Sequence, residues 1–512
     1  MIGTTSRSKW DADDGYASYL TVLVIVRIAF MKRHTLVFVA ALLVAQTVSL
    51  FRADAAPRPN ILVLFSDDQR ADTIAALGNR HIKTPNLDTL VRSGTTFTRA
   101  YCMGAMQGAV CVPSRAMLMT GRSLFRIKEN MQAQETWPEA FTKAGYATFI
   151  TGKWHNGEPS VKRAFQSGKA LFLGGMGWPY ELPLRDLSGG ELVNARLSGE
   201  HSVKLFADAA AGFIEARSKS PAKQPWLCYV AFNLPHDPRV APDDFRKDYK
   251  DSKLPLPSNY LPQHPLDIGS MTVRDELLER WPRTPEAVRR HLGDYYASIT
   301  YLDAQIGRIL AALKASGQHE QTLNVFASDS GLAIGSHGLF GKQSIYEHSM
   351  RVPLIVAGPG IPRNARREAF AYLLDIFPTL GALANVAGPE GSEGLSLAEV
   401  ISGKSPGVRD ELFLAYTQTQ RSIRDERWKL MRFPQIGVSH LFDLKSDPQE
   451  TRNLAELPEQ RERVANMMAR LERAQVAWAD KLPLTATNLQ PASFVPPQGQ
   501  KMEEMYRKNM TR

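Results

Sequence analysis

Three cysteines in 512 residues, Cys102, Cys111 and Cys228, are too few for a disulfide framework, so the chain is not a small stapled secreted module. One bridge could form and an odd thiol would remain. Beyond residue 56 no stretch is long and apolar enough to span a bilayer. There is no internal repeat. Nor is there a dense Lys/Arg stripe interleaved with aromatics or a nucleic-acid motif, which argues against a nucleic-acid partner. The formal charge of +10 and pI near 9.4 still suit an anionic partner, whether nucleic acid, acidic lipid or a sulfated polymer, and charge does not choose among them.

What is present is ample apolar material: 44% hydrophobic residues, enough for a large core with one or more smaller appendages. Residues 1–56 read as an upstream extension and a leader. Met31-Lys32-Arg33-His34 supplies a positive start, Leu36 to Phe51 a short apolar run interrupted by Gln46-Thr47, and Ala53-Asp54-Ala55 small residues for cleavage. The start is expected at Met31 and the mature chain at Pro57, with an uncleaved anchor as the alternative. A leader of this kind implies export, to a periplasm or to the exterior.

From residue 57 to 405 short apolar runs alternate with amphipathic helical patterns. Asn60 to Ser66, Tyr146 to Ile150, Trp226 to Phe232, Leu323 to Ala327 and Val352 to Val356 read as strands buried on both faces. Helical patterns cover Pro85 to Val91, Val203 to Ala216, Pro285 to Leu313 and Leu373 to Leu383. The alternation predicts an α/β fold, a large, mostly parallel sheet sandwiched by helices. Residues 406–481 change character. Leu412 to Tyr416, Ser422-Ile423, Trp428 to Phe433 and Leu441-Phe442 suggest a small antiparallel sheet, followed by a helix from Pro458 to Ala477. Residues 482–512 are expected to wrap the surface or lack order. Leu254 to Thr284, rich in proline, reads as an irregular insertion near the substrate entrance.

Asp67-Asp68-Gln69 follows the first strand, where open α/β sheets bind ligands, and adjacent carboxylates suit a hard cation such as Ca²⁺ or Mg²⁺. A second cluster is Cys111-Val112-Pro113-Ser114-Arg115, continued by a short helical run to Thr120-Gly121-Arg122. A lone cysteine is usually a small buried hydrophobe. This one, with Pro two positions on, Arg four on and then a Thr-Gly-Arg stop, resembles the signature of the formylglycine-dependent type I sulfatases of the alkaline phosphatase superfamily.

The resemblance extends from about Pro59 to Leu457. Gly152-Lys153-Trp154-His155 is similar to the family's G-K-W-H segment, and Pro235-His236-Asp237-Pro238 to its P-H-x-P motif. Gly341-Lys342, Tyr346-Glu347 and Arg351-Val352-Pro353 resemble a further block, and Leu441-Phe442-Asp443-Leu444 through Asp447-Pro448 to Asn453-Leu454 the C-terminal signature. The resemblance implies an alkaline phosphatase-like fold and hydrolysis of sulfate esters. It implies a maturation enzyme that converts Cys111 to formylglycine, and metal ligands at Asp67, Asp68, residue 111, Asp329 and Ser330. Ser330 departs from the family, which has Asn, His or Gln there, and a serine hydroxyl is a shorter, weaker donor.

The chemistry that follows is nucleophilic catalysis with a built-in release step. One hydroxyl of the hydrated aldehyde attacks sulfur, and loss of the other proton expels sulfate. Lys153 and Lys342 would hold sulfate oxygens, and Arg115 would support residue 111 and the carboxylates. His236 would protonate the leaving oxygen and His155 would contact residue 111, although the two roles can be exchanged. His337 and His348, near the Lys342 block, read as structural or as supports behind the residues that touch substrate. Trp178 and Tyr180 could line a sugar subsite or pack in the core. Basic charge and export favour a sulfated carbohydrate or polysaccharide. The alternatives are a phosphodiesterase or phosphonate monoester hydrolase of the same superfamily and a non-catalytic sulfated-glycan-binding protein. Oligomeric state stays open.

Overall fold

The computed structural model describes residues 58–222 and 224–510. The leader expected over residues 31–56, with its start at Met31, lies outside them. No described helix is long and apolar enough to cross a membrane.

The fold is organised around the strand Asn60–Asp67 (β1), fully buried on both faces. Its alternate residues feed two cores. Ile61, Val63 and Phe65 join one hydrophobic cluster, while Leu62 and Leu64 join the other. The remaining strands of the large sheet are β2 (Gly94–Tyr101), β4 (Ala147–Lys153), β5 (Ser167–Phe172), β6 (Pro183–Ser188), β7 (Glu191–Leu197), β8 (Trp226–Pro235), β9 (Thr322–Ser328), β10 (Arg351–Ala357) and β11 (Ala365–Tyr372). They run in the order β11-β2-β10-β9-β1-β8-β4-β5-β6-β7. The central run from β9 to β5 is parallel throughout, and the antiparallel pairs lie towards the two ends. The expected mixed, mostly parallel sheet between helices is therefore what forms.

One face carries the helices Pro85–Ser93, Ser202–Lys219 and Pro285–Ala315, the last 31 residues long. The opposite face carries Cys111–Thr120, Trp137–Lys143 and Ile376–Ala384. The smaller sheet contains the antiparallel strands β12 (Leu412–Tyr416), β13 (Gln420–Arg424), β14 (Trp428–Phe433) and β15 (Val438–Asp443). It is completed by β3 (Gly104–Ala105), which comes from just before Cys111 and pairs with β12. The helix Arg461–Trp478 packs on it.

The last segment is ordered where the sequence left wrapping or disorder open. Ser493 bridges to Leu266, the Phe494 ring meets Trp281 at 5.4 Å, and a helix, Gly499–Met510, lies against the 274–278 turn. The C-terminal arm thus straps down the proline-rich insertion.

Candidate active site

Four neighbouring parallel strands, β9, β1, β8 and β4, end side by side, and each releases functional side chains at its carboxyl edge. From β1 come Asp67 and Asp68, from β9 Asp329 and Ser330, from β8 His236, and from β4 Lys153 and His155. Asp68 (φ 66°) and His155 (φ 71°) take left-handed backbone conformations immediately after their strands. For such residues that conformation costs on the order of 1–3 kcal/mol each, a strain typical of sites held by their surroundings.

Cys111 is the first residue of the helix Cys111–Thr120, with its thiol at the positive end. Pro113 is tolerated because it falls in the first turn. The helix stops at Gly121, whose φ of 66° returns its N–H to the Met117 carbonyl. A Cβ there would sit 2.1 Å from Ser392 Oγ, so both conformation and space call for glycine. The Thr-Gly-Arg stop therefore fixes where the helix ends.

The side chains converge away from the surface. Asp67, Asp68, Asp329, Lys153, Lys342 and Arg115 are all buried. Lys342 Nζ lies 2.7 and 2.8 Å from the two Asp68 oxygens and 3.0 Å from Cys111 Sγ. Lys153 Nζ donates to Asp67 Oδ2. Arg115 donates to Asp329 Oδ2 at 3.1 Å and to the Lys153 carbonyl at 3.1 Å, and its guanidinium stacks over the Phe65 ring. Ser330 Oγ donates to Asp68 Oδ1 at 2.9 Å, and the Asp68 N–H donates to Asp329 Oδ1 at 2.9 Å.

These contacts set the protonation states. Burial opposes charge on Asp67, but the cations Lys153, Arg115 and Lys342 outweigh it and hold the carboxyl well below its usual range. Burial and the Asp67 carboxylate push Asp329 up to about 7. Burial, then Lys153 and Arg115, take His155 down to about 3; burial, then Lys342 and Lys153, take His236 well below its ordinary value. Burial pushes the Cys111 thiol up to about 12, so the unmodified thiol is not a thiolate near neutrality.

Asp67, Asp68 and Asp329 place one oxygen each within 4.8 Å of one another, and Cys111 and His236 group with Asp67 in the same way. Asp67 Oδ1 is buried with no hydrogen-bond partner. Three crowded carboxylates with a spare oxygen fit a hard divalent cation.

The pocket above this floor has a volume of about 260 Å³. Its walls include Gly108, Ala109, Cys111, His155, His236 and Lys342, together with Gly175, Met176 and Val273 to Asp275. Trp178 and Tyr180 do not line it; Tyr180 packs edge-on against His201 at 5.2 Å. His337 stacks on Tyr346 at 4.1 Å, away from the pocket. Sequence reasoning missed Arg274, Asp275 and Gln343. Arg274 and Asp275 sit in the proline-rich insertion from Leu254 to Thr284, where no motif distinguishes them, and Gln343 follows Lys342 at a position that its block leaves open.

The large, mostly parallel sheet with a buried charged site at its carboxyl edge is the architecture that the resemblance to the alkaline phosphatase superfamily implies. The sulfatase family model matches residues 59–386, and one described as N-sulphoglucosamine sulphohydrolase, C-terminal, matches residues 335–477. The chain belongs to the sulfatase family, and it is a sulfuric ester hydrolase.

It is 28% identical to a choline-sulfatase of Rhizobium meliloti, over 78% of this chain and 83% of the relative. It is 25% identical to an N-acetylglucosamine-6-O-sulfatase of Bacteroides thetaiotaomicron, over 83% and 88%. A solved protein bound to its substrate D-glucosamine-2-N,6-O-disulfate superposes with a TM-score of 0.70 at 23% identity, covering 83% of this chain and 99% of that one. The phosphonate monoester hydrolase of Agrobacterium radiobacter gives 0.67 at 23%, covering 86% and 100%. At these identities the two structures share the fold.

Proposed function

We propose that the chain cleaves sulfate esters of carbohydrates with a formylglycine made from Cys111 and a divalent cation, Ca²⁺ or Mg²⁺, held by Asp67, Asp68 and Asp329. The observation that carries this reading is Lys342 Nζ, in contact with both Cys111 Sγ and the Asp68 carboxylate. One cation thereby joins the nucleophile position to the carboxylate cluster, where a tetrahedral oxyanion would sit. The high pKa of the thiol also makes an unmodified cysteine an inert choice at this position.

Formylglycine supplies a hydrated aldehyde, a nucleophile with its own release step. A bound cation would supply a Lewis acid against a sulfate oxygen and ease loss of the nucleophile's proton. The chain does the rest. Lys153 and Lys342 hold sulfate oxygens and compensate charge in the transition state. Arg115 ties Asp67 and Asp329 to the β4 end and keeps the carboxylates in register. His236 Nδ1 is committed to the Asp237 carbonyl at 2.7 Å, which leaves Nε2 as the working atom, and we assign it the proton given to the leaving oxygen. His155, packed against Gly175, lines the same pocket as residue 111, and we assign it assistance in sulfate release. Ser330 completes the cluster through Asp68.

The carbohydrate assignment is supported by relatives that act on sulfated sugars, and export and a maturation partner by the leader pattern and the Cys-x-Pro-Ser-Arg motif. The test is the mass of the peptide carrying residue 111 from the native host, paired with turnover of matched aryl sulfate and phosphonate esters. An aldehyde trapped by a hydrazine reagent and preference for sulfate are expected. An intact thiol in active protein would sink the mechanism, and preference for the phosphonate would reassign the substrate.

A further inference from the structure

One guanidinium joins the two sides of the pocket. Arg274, in the short turn Arg274–Leu278, donates through both terminal nitrogens to the Asp237 carboxylate, from NH1 to Oδ1 at 3.2 Å and from NH2 to Oδ2. Its NH1 also donates to Asp275 Oδ1 at 2.6 Å. Asp275 Oδ2 accepts from Gln343 Nε2 at 2.7 Å, and Gln343 Oε1 accepts the backbone N–H of Lys342 at 2.9 Å. The chain of contacts thus runs from the residue that follows His236 to the backbone of Lys342.

The Asp237 end matters because of what that residue does for His236. The imidazole is oriented by one donated bond, from Nδ1 to the Asp237 carbonyl, with the Asp237 carboxylate 3.5 Å from the same nitrogen. A carbonyl can only accept, so this bond assigns the Nδ1 hydrogen and aims Nε2 into the site. Where Asp237 goes, the ring follows. A two-pronged guanidinium grip fixes a carboxylate in distance and in plane, which a single point charge cannot do.

Arg274 lies in the pocket wall with a quarter of its side chain exposed. The fully buried Arg283–Glu276 pair, by contrast, holds the loop beneath it.

We propose that Arg274 is a positioning residue for the leaving-group proton donor. Acting through Asp237, it keeps His236 Nε2 aligned with the ester oxygen while Asp275 and Gln343 hold the same turn against Lys342. As the S–O bond to the alcohol breaks, its electron pair stays on that oxygen, and the proton arrives from Nε2–H of His236 in its imidazolium form. The bound sulfate anion favours that form by offsetting the Lys153 and Lys342 charges, and Nδ1 keeps its own hydrogen. This inference rests on the assignment of His236 made above.

The test uses the full chain with residue 111 matured and a series of phenyl sulfates whose leaving phenols span good to poor. A good leaving group needs little proton transfer, so misalignment harms only the poor ones. Arg274→Ala is expected to lose on the order of 10²-fold in kcat with unsubstituted phenyl sulfate and under about 5-fold with the 4-nitro ester. Arg274→Lys, which keeps charge without the fork, should recover part of the loss. Should Arg274→Ala melt out of the assay range, Asp275→Asn removes the second anchor with the shape kept, and the same bias towards poor leaving groups is expected.

An equal loss across the series, no loss, or a rise in KM with an unchanged leaving-group slope overturns the proposal, the last making Arg274 a substrate-binding group. A wild-type protein that turns over none of the esters overturns the sulfatase mechanism itself and this inference with it.

Discussion

Ser330 shows how a single side chain sets the quality of the carboxylate cluster. Its hydroxyl donates to Asp68 Oδ1, the oxygen that also accepts from Lys342. Asp68 is thereby oriented from two sides. A serine reaches less far than an amide, so at the proposed metal site its contribution would be made through Asp68. Removing an outer hydrogen bond of this kind costs roughly 10–100-fold in metal affinity. Ser330→Ala should therefore raise the calcium concentration that half-saturates the thermal shift by about 10-fold, and Ser330→Asn should lower it. An unchanged midpoint in Ser330→Ala would mean the hydroxyl has no part in metal binding. The departure at residue 330 was readable in the sequence because a motif surrounds it. Arg274 and Asp275 were not, since their importance depends on which loop they face, and no local pattern encodes that.

At the scale of elements, Glu276 organises the turn that delivers Lys342. Its carboxylate accepts the N–H groups of Phe340 and Gly341, and its Oε2 accepts from Arg283 at 2.9 Å. Arg283 is itself buried, sandwiched over the Trp281 and Phe340 rings at 4.3 and 4.9 Å. Glu276→Ala strands that cation and leaves two amides without an acceptor. Breaking such a pair typically costs about 3–5 kcal/mol, a large share of a domain's stability. A marked fall in Tm is expected, with Glu276→Gln falling less because one oxygen remains. Equal Tm values for wild type and Glu276→Ala would contradict the assignment.

Elements differ in how far the sequence discloses them. The β1, β8 and β9 strands were legible because both faces are buried and the runs are apolar. The β2 strand, with Thr95, Thr96, Thr98 and Arg99, and β11, with Arg366 and Arg367, are not apolar runs, and the pattern does not pick them out. Their pairing with β10 and with each other is what makes them strands. The edge hairpin of β6 and β7 escapes notice for the same reason: most of β7 is exposed.

Across the whole molecule, three buried histidines and the half-buried His440 meet around Tyr346 from three distant parts of the chain. His264 Nε2 lies 3.1 Å from the Tyr346 hydroxyl, His337 stacks on the ring at 4.1 Å, His348 lies 5.6 Å from it, and His440 Nδ1 is 3.5 Å from the hydroxyl. Burial takes His264 and His440 down to about 4 and His337 to about 3, with neighbouring imidazoles adding to the shift of His337 and His440. Burial, then His337, takes His348 well below its ordinary value.

The folded chain thus keeps these rings neutral, while the unfolded chain takes up protons below its ordinary value of 6.5. The stabilisation is complete above pH 6.5 and is lost as the pH falls from there towards 4, at roughly 1.4 kcal/mol per pH unit for each group. Carboxyls with depressed values, such as Glu347 and Asp275, lose their contribution only below the ordinary carboxylate range, so they fall outside that window. With saturating calcium, Tm should drop steadily between pH 6.5 and 4.5, and His264→Gln should flatten the slope by removing one titrating ring. A wild-type Tm that stays level across this interval, or an unaltered slope in His264→Gln, would show that the cluster does not couple the insertion, the Lys342 loop and the small sheet to proton uptake.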